Sequence, residues 1–197
     1  MTNPQGPALG SRIIVTGNSS TGKSTLAAQL AEALGLAMVE LDALFWRPNW
    51  QDPDPEEFRA AVRQALAEAD RGWVVAGNYS ARTADITWAA ADTVVWLDLP
   101  LRVSIPRILK RSWTRSRSQE LLWGTNYERF WPHLKLWSTK ESLVAFTLRH
   151  HRAKAAKWRE LMEEELAHLA WFRFRSQKQV DTFLRDVRAS RAVATRS

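Results

Sequence analysis

A chain of 197 residues with 45% hydrophobic content can bury one substantial core, and one domain is expected. It contains no Cys, which excludes disulfides and thiolate metal centres, and no run approaches the roughly 18 apolar residues of a membrane span, so a soluble, cytoplasmic protein is expected. The net charge of +7 is split: residues 1–100 carry 7 Lys/Arg against 12 Asp/Glu (−5), and residues 101–197 carry 21 against 9 (+12), a basic half that suits a phosphate-handling enzyme or a nucleic-acid binder.

Residues 1–11 hold two prolines and two glycines and read as a flexible leader, not a signal peptide. Strands are predicted at 12–16, 37–41, 73–76, 93–97 and 169–174, where short apolar runs occur. Helices are predicted at 23–34, 55–70, 100–117, 138–167 and 177–188. Asp54-Pro55-Glu56-Glu57 is a helix start, with a capping carboxylate, proline at the first position and acids in the first turn. The stretch from about Ala189 to Ser197 reads as a frayed tail, leaving 12–188 as the domain. Alternating strands and helices predict an α/β fold, a three-layer α/β/α sandwich around a five-stranded parallel sheet. Ligands of such sheets gather at the carboxyl ends of the strands, so the residues just after each strand carry the information.

After the first strand, Gly17-Asn18-Ser19-Ser20-Thr21-Gly22-Lys23-Ser24 matches the G-x-x-x-x-G-K-[ST] phosphate loop in full. Its glycines let successive N–H groups point at phosphate oxygens, and the following helix N-terminus favours anions. Lys23 is expected on the β- and γ-phosphates, Ser24 on Mg²⁺, and Thr25 completes the predicted ATP-binding segment. Asp42, directly after the second strand, is a candidate to accept a hydrogen bond from a substrate hydroxyl or to hold a metal-bound water; a turn or capping aspartate is the alternative. Phe45, Trp46 and Arg47 follow it, and Gly77, Asn78, Tyr79 and Arg82 follow the third strand; all are candidate acceptor-binding residues. After the fourth strand, Arg107, Lys110, Arg111, Arg115 and Arg117 form a cationic run in which Arg107, Arg111 and Arg115 share a helix face. A lid over about 107–128 that brings Arg107 and Arg111 to the phosphates and excludes water is predicted. The four histidines at 133, 150, 151 and 168 lack metal-ligand spacing and are expected in solvent or helix packing. Core packing is the default for the eleven tryptophans, with base stacking open for one or two near loops.

The phosphate loop, Leu41-Asp42-Ala43-Leu44-Phe45-Trp46 with Trp50, Gly77-Asn78-Tyr79, Trp96-Leu97-Asp98-Leu99-Pro100, the Arg107/Arg111 pair and Glu120–Glu128 together resemble small bacterial phosphate-loop proteins, the topology-modulation (FlaR-like) or adenylate-kinase-related group. The resemblance spans roughly residues 12–188 and implies a fold similar to nucleoside monophosphate, shikimate and gluconate kinases, with an arginine-bearing lid. Members commonly carry an acid before Gly-Asn-Tyr to help hold Mg²⁺; here that position is Ala76, leaving Ser24 and either Asp42 or Asp98. The expected activity is ATP- and Mg²⁺-dependent phosphoryl transfer to a small acceptor, with Lys23, Asp42, Arg107 and Arg111 in catalytic roles. The acceptor is a nucleoside monophosphate, its phosphate on Arg47 and Arg82, or a hydroxylated metabolite. The alternatives are an ATP-binding, nucleic-acid-associated regulatory protein and an ATPase without a small acceptor. A homodimer through Trp-rich surface segments is left open.

Overall fold

The computed structural model describes residues 8–194. Five strands, β1 (Arg12–Gly17), β2 (Ala37–Glu40), β3 (Trp73–Ala76), β4 (Thr93–Leu97) and β7 (Ala170–Phe174), form one parallel sheet in the order β2-β3-β1-β4-β7. Their Val/Ile-rich sequences suit a sheet covered on both faces. Strand periodicity then divides them: Ile13, Val15, Val74, Val95 and Leu97 pack with Leu26, Leu30, Val180 and Leu184 on one face. Ile14, Val39, Val75 and Val94 pack with Phe45, Phe58, Val62 and Trp88 on the other. Each such side chain contributes roughly 1.5–3 kcal/mol by leaving water.

The helices are α1 (Lys23–Leu34), α2 (Leu41–Phe45), α3 (Pro55–Ala67), α4 (Ser80–Thr87), α5 (Leu101–Ser118), α6 (Leu143–Glu163) and α7 (Gln177–Ala194). The start of α3 is as predicted: Asp54 accepts from the Glu56 and Glu57 amides at 2.9 and 3.1 Å, with Pro55 in the first turn. Gly35 ends α1 at φ 68°, and the Leu36 amide reaches back to the Ala31 carbonyl at 2.9 Å. Two short helices, α2 and α4, lie where loops were expected, and Leu41 opens α2 instead of closing the second strand. A two-stranded hairpin, β5 (Leu121–Leu122) and β6 (Asn126–Tyr127), stands inside the expected lid. Its turn residues Trp123 and Gly124 have φ of 49° and 74°, and the Thr125 amide bonds to the Leu122 carbonyl at 3.0 Å.

The expected frayed tail is corrected in part: α7 continues through Ala194, past the boundary at 189. Residues 1–7 of the expected leader and 195–197 of the tail lie outside the described residues. Among the described residues, no helix is long and apolar enough to cross a membrane. The chain passes from one side of β1 to the other between β3 and β4. That switch opens a crevice at the carboxyl ends of the strands.

Candidate active site

The phosphate loop leaves β1 at that crevice. Gly17 has φ 147°, and a Cβ there would lie 2.6 Å from the Leu97 carbonyl oxygen, so the loop approaches β4 as only glycine allows. Gly22, at φ 95°, opens α1, and a Cβ there would meet nothing within 4 Å. The Asn18 carbonyl accepts from Lys23 Nζ at 2.9 Å and from Thr21 Oγ1 at 2.8 Å. Ser20, at φ 56°, has a buried hydroxyl without a partner. Ser19 and Ser24 are half-buried along the loop, and Thr25 is exposed. Open space beside Gly22 at a helix N-terminus, together with the orphaned buried Ser20 hydroxyl, fits an anionic ligand.

Asn78 braces this loop. Its amide donates to the Gly17 carbonyl at 2.6 Å and its carbonyl accepts from Thr16 Oγ1 at 3.0 Å. Both side-chain functions are therefore turned to the loop, not to the acceptor side. Gly77 precedes it at φ 152°, where a Cβ would lie 2.8 Å from the Leu41 side chain. Tyr79 does face Asp42: its hydroxyl donates to Asp42 Oδ1 at 2.7 Å. Burial and the Asp42 charge push the Tyr79 hydroxyl above its usual range, so it remains a donor. Phe45 lies 4.6 Å from the Tyr79 ring and 5.0 Å from Trp46, forming an aromatic wall beside Asp42.

Arg82 stacks over Phe45 at 4.8 Å and pairs with Asp52 at 2.8 Å, and Arg47 pairs with Glu57. The two arginines expected on an acceptor phosphate thus already hold carboxylates. On α5, arginines 107, 111 and 115 lie in line along the site. Arg107 donates to Gln177 at 2.8 Å and to the Thr21 carbonyl at 3.4 Å. Arg111 is largely buried, its Nε lacks a partner, and burial lowers its pKa while Glu128 and Asp42 oppose that shift. Arg115 pairs with Glu128 at 3.3 Å and Glu120 at 3.5 Å.

Burial pushes the Lys23 ammonium down to about 8; Asp42 and Glu40 pull it up, and Arg111 and Lys154 push it further down. Three cations and the Asp42 and Glu40 carboxylates thus act on one another at the loop. Burial alone would raise the Glu128 carboxyl, but contacts from His133, Ser112, Arg111 and Arg115 bring it down to about 2.

No group of three or more His, Cys, Asp or Glu among the described residues is arranged to hold a metal. Of the alternatives Asp42 and Asp98, Asp98 is engaged through Oδ2 by Arg173 Nε at 2.9 Å. Glu40 pairs in register with Ala76, so a further carboxylate stands on the strand beside the position lacking one. Ser24, Asp42 and Glu40 are the residues present that suit a hydrated Mg²⁺, which usually keeps several waters.

Sequence reading missed the contribution of α6. His151, expected in solvent or helix packing, has its Nδ1 2.7 Å from Asn18 Nδ2. His133 approaches Glu128 at 3.3 Å, His150 packs on Phe146 and His168 is exposed. A Lys/Arg-rich stretch gives no local sign of which turn meets the loop.

No protein-family model matches the chain, and no curated protein matches it. Among solved structures it is similar to a gluconokinase from Sinorhizobium meliloti 1021, at 20% identity and a TM-score of 0.50 over 93% of each chain. A shikimate kinase from Acinetobacter baumannii in complex with shikimate is 17% identical at a TM-score of 0.48, over 89% of each chain. A deoxyadenosine kinase from M. mycoides with bound dATP is 14% identical at 0.41, over 89% of this chain and 98% of its own. The likeness to the gluconokinase shows the fold alone, a three-layer α/β/α arrangement around a five-stranded parallel sheet.

Proposed function

We propose that this chain is an ATP- and Mg²⁺-dependent kinase that phosphorylates a hydroxyl of a small acceptor. The observation that carries the reading is the convergence of Lys23, Arg111 and Asp42 beside a phosphate loop whose Ser20 hydroxyl is buried without a partner. In the transfer, the acceptor oxygen bonds to the γ-phosphorus as the bond to the β–γ bridging oxygen breaks; ADP leaves, and the acceptor hydroxyl proton passes to Asp42. Tyr79 holds one Asp42 oxygen, which leaves the other to receive that hydroxyl. Lys23 and Arg111 stabilise charge on the migrating group, and Arg107 supports the loop from the Thr21 carbonyl. Bound Mg²⁺ would add Lewis-acid charge on the phosphate oxygens, with Ser24, Asp42 and Glu40 positioned to hold its shell.

Of the two acceptor classes, a hydroxylated metabolite is favoured, because Arg47 and Arg82 are paired with Glu57 and Asp52 and are not poised for a nucleotide phosphate. One catalytic unit over 12–188, with the 107–128 segment as lid, belongs to this reading. The likeness to the topology-modulation group is one of motif residues and is carried only as far as the reaction class.

The test is incubation with Mg-ATP and a panel of sugars, hydroxy acids, nucleosides and nucleotides, with products read by mass spectrometry. A phosphorylated hydroxy compound is the expected product. Binding of ATP with no product across the panel would overturn the kinase reading, and salt-dependent DNA binding alongside it would favour the nucleic-acid alternative.

A further inference from the structure

The third cation beside Lys23 comes from α6. His151 and Lys154 are one turn apart on that helix, and His151 contacts the Asn18 side chain at 2.7 Å. The Asn18 carbonyl accepts from Lys23 Nζ at 2.9 Å, so one residue links the phosphate-loop lysine to α6. Lys154 Nζ lies 4.5 Å from the centre of the Phe146 ring, two turns earlier on the helix. That ring also packs on His150 at 4.7 Å, making Phe146 a shelf under the ammonium. Among the described residues, no carboxylate forms a salt bridge with Lys154, although it is half-buried and burial lowers its pKa. Its charge is felt at Lys23.

A partly desolvated ammonium without a counter-ion, next to a second one, is costly unless an anion occupies the space between them. Lys23 and the N-terminus of α1 belong to the loop itself, Arg107 reaches it from α5 at the Thr21 carbonyl, and α6 reaches it at Asn18 through His151. We propose that Lys154 is a triphosphate-binding residue that contacts the terminal phosphate of ATP from α6 and makes the site prefer tri- over diphosphates. The proposal rests on the kinase reading above and deepens it: the donor's terminal phosphate would be held by two lysines from separate elements, and loss of that phosphate would weaken the grip after transfer.

The test is isothermal titration of Mg-ATP and Mg-ADP into the full chain, as wild type, Lys154→Met, Lys154→Arg and Lys157→Met. A lost charge-assisted contact costs on the order of tenfold in affinity. The expected result is an ATP affinity about tenfold weaker in Lys154→Met, with ADP changed less than about threefold. Lys154→Arg should restore most of the difference, and the exposed Lys157→Met should behave as wild type. Should Lys154→Met lose its helical circular dichroism, Lys154→Gln, which keeps a polar end, replaces it in the same comparison. Equal weakening of ATP and ADP, or no weakening, overturns the role of Lys154 while leaving the kinase reading intact. Wild-type protein that binds neither nucleotide overturns both.

Discussion

The Tyr79 hydroxyl, just after β3, donates a 2.7 Å hydrogen bond to Asp42 Oδ1, just after β2. Because burial and Asp42 both hold the Tyr79 proton on, the donor persists throughout the physiological range. Tyr79→Phe should therefore lower kcat about tenfold with little change in the KM for ATP, since one orienting hydrogen bond is lost and the phosphate site is untouched. Steady-state kinetics with the acceptor found by the panel measure this, and a variant with wild-type kcat would remove Tyr79 from any orienting role.

Asp42→Asn keeps the shape and the partner of Tyr79 but loses the base. Turnover should drop by about two to three orders of magnitude while ATP binding survives. The amide also removes the charge that raises Lys23, so the Lys23 pKa should fall further below about 8. A pH series of ATP affinity checks this: the decline above pH 8 expected for wild type should begin at lower pH in the variant. An unchanged profile would show that the two side chains do not communicate.

The elements that pointed to this site in the sequence are those with local signals. The phosphate loop declares itself by glycine spacing, β1, β3 and β4 by short buried runs, and α3 by its Asp54 cap. Asp42, Asn78 and Tyr79 were legible as positions after strands, but not in their orientation. Asn78 turns back to Gly17 and Thr16, because the buried Gly17 carbonyl needs a donor and Asn78 follows β3 within reach of it. The short helices α2 and α4 were hidden because a few helical residues between a strand and a polar turn carry too little periodicity. The placement of α6 over Asn18 depends on tertiary packing that pairs Trp158 with Trp88 at 5.2 Å. Nothing within the basic helix itself encodes that partner.

Lys23 gives a stability prediction. Its folded pKa of about 8 lies below the ordinary 10.5, so the unfolded chain binds more protons between those values. The penalty is full below about pH 8 and is relieved as pH rises toward 10.5, so unliganded stability should climb through that window. Lys23→Met should accordingly be more stable than wild type at pH 7 without nucleotide, by on the order of 2 kcal/mol. Thermal melts with and without Mg-ATP check both halves: nucleotide should raise the Tm of wild type and leave that of Lys23→Met unmoved. A less stable Lys23→Met would mean that the lysine is not strained by burial.

Glu128 carries the opposite sign. Its carboxyl is held at about 2, below the ordinary 4.5, so it contributes stability above about pH 4.5 that is lost as pH falls toward 2. Its oxygens meet Ser112 on α5, Arg115 at 3.3 Å and His133 at 3.3 Å, so one buried acid ties the end of the β5–β6 hairpin to the arginine helix. Glu128→Gln leaves Arg111 and Arg115 without that charge and should cost about 3 kcal/mol at pH 7. Urea melts at pH 7 and pH 3 check the sign: the gap between the two proteins should shrink at the lower pH.

Asn126 ties the β5–β6 hairpin to residues 47–50. Its side-chain carbonyl accepts from the Trp50 amide at 2.8 Å, and its amide donates to the Arg47 carbonyl at 3.0 Å. Trp50 Nε1 adds a 3.1 Å bond to the Tyr127 carbonyl. The loop it grips is bent sharply, with Asn49 and Trp50 at φ of 61° and 58°, a conformation that non-glycine residues adopt only where surroundings hold it. Asn126 is 2% exposed, so removing its amide leaves two backbone groups without partners in a water-poor setting. Asn126→Ala should therefore loosen the hairpin from residues 47–51, raise the acceptor KM several-fold and admit water to the phosphate site. The telling measurement is the ratio of ADP formed to acceptor phosphorylated, close to one in wild type and rising in the variant as hydrolysis escapes coupling. A variant with slower turnover but an unchanged ratio would make Asn126 a packing residue and place the water barrier elsewhere.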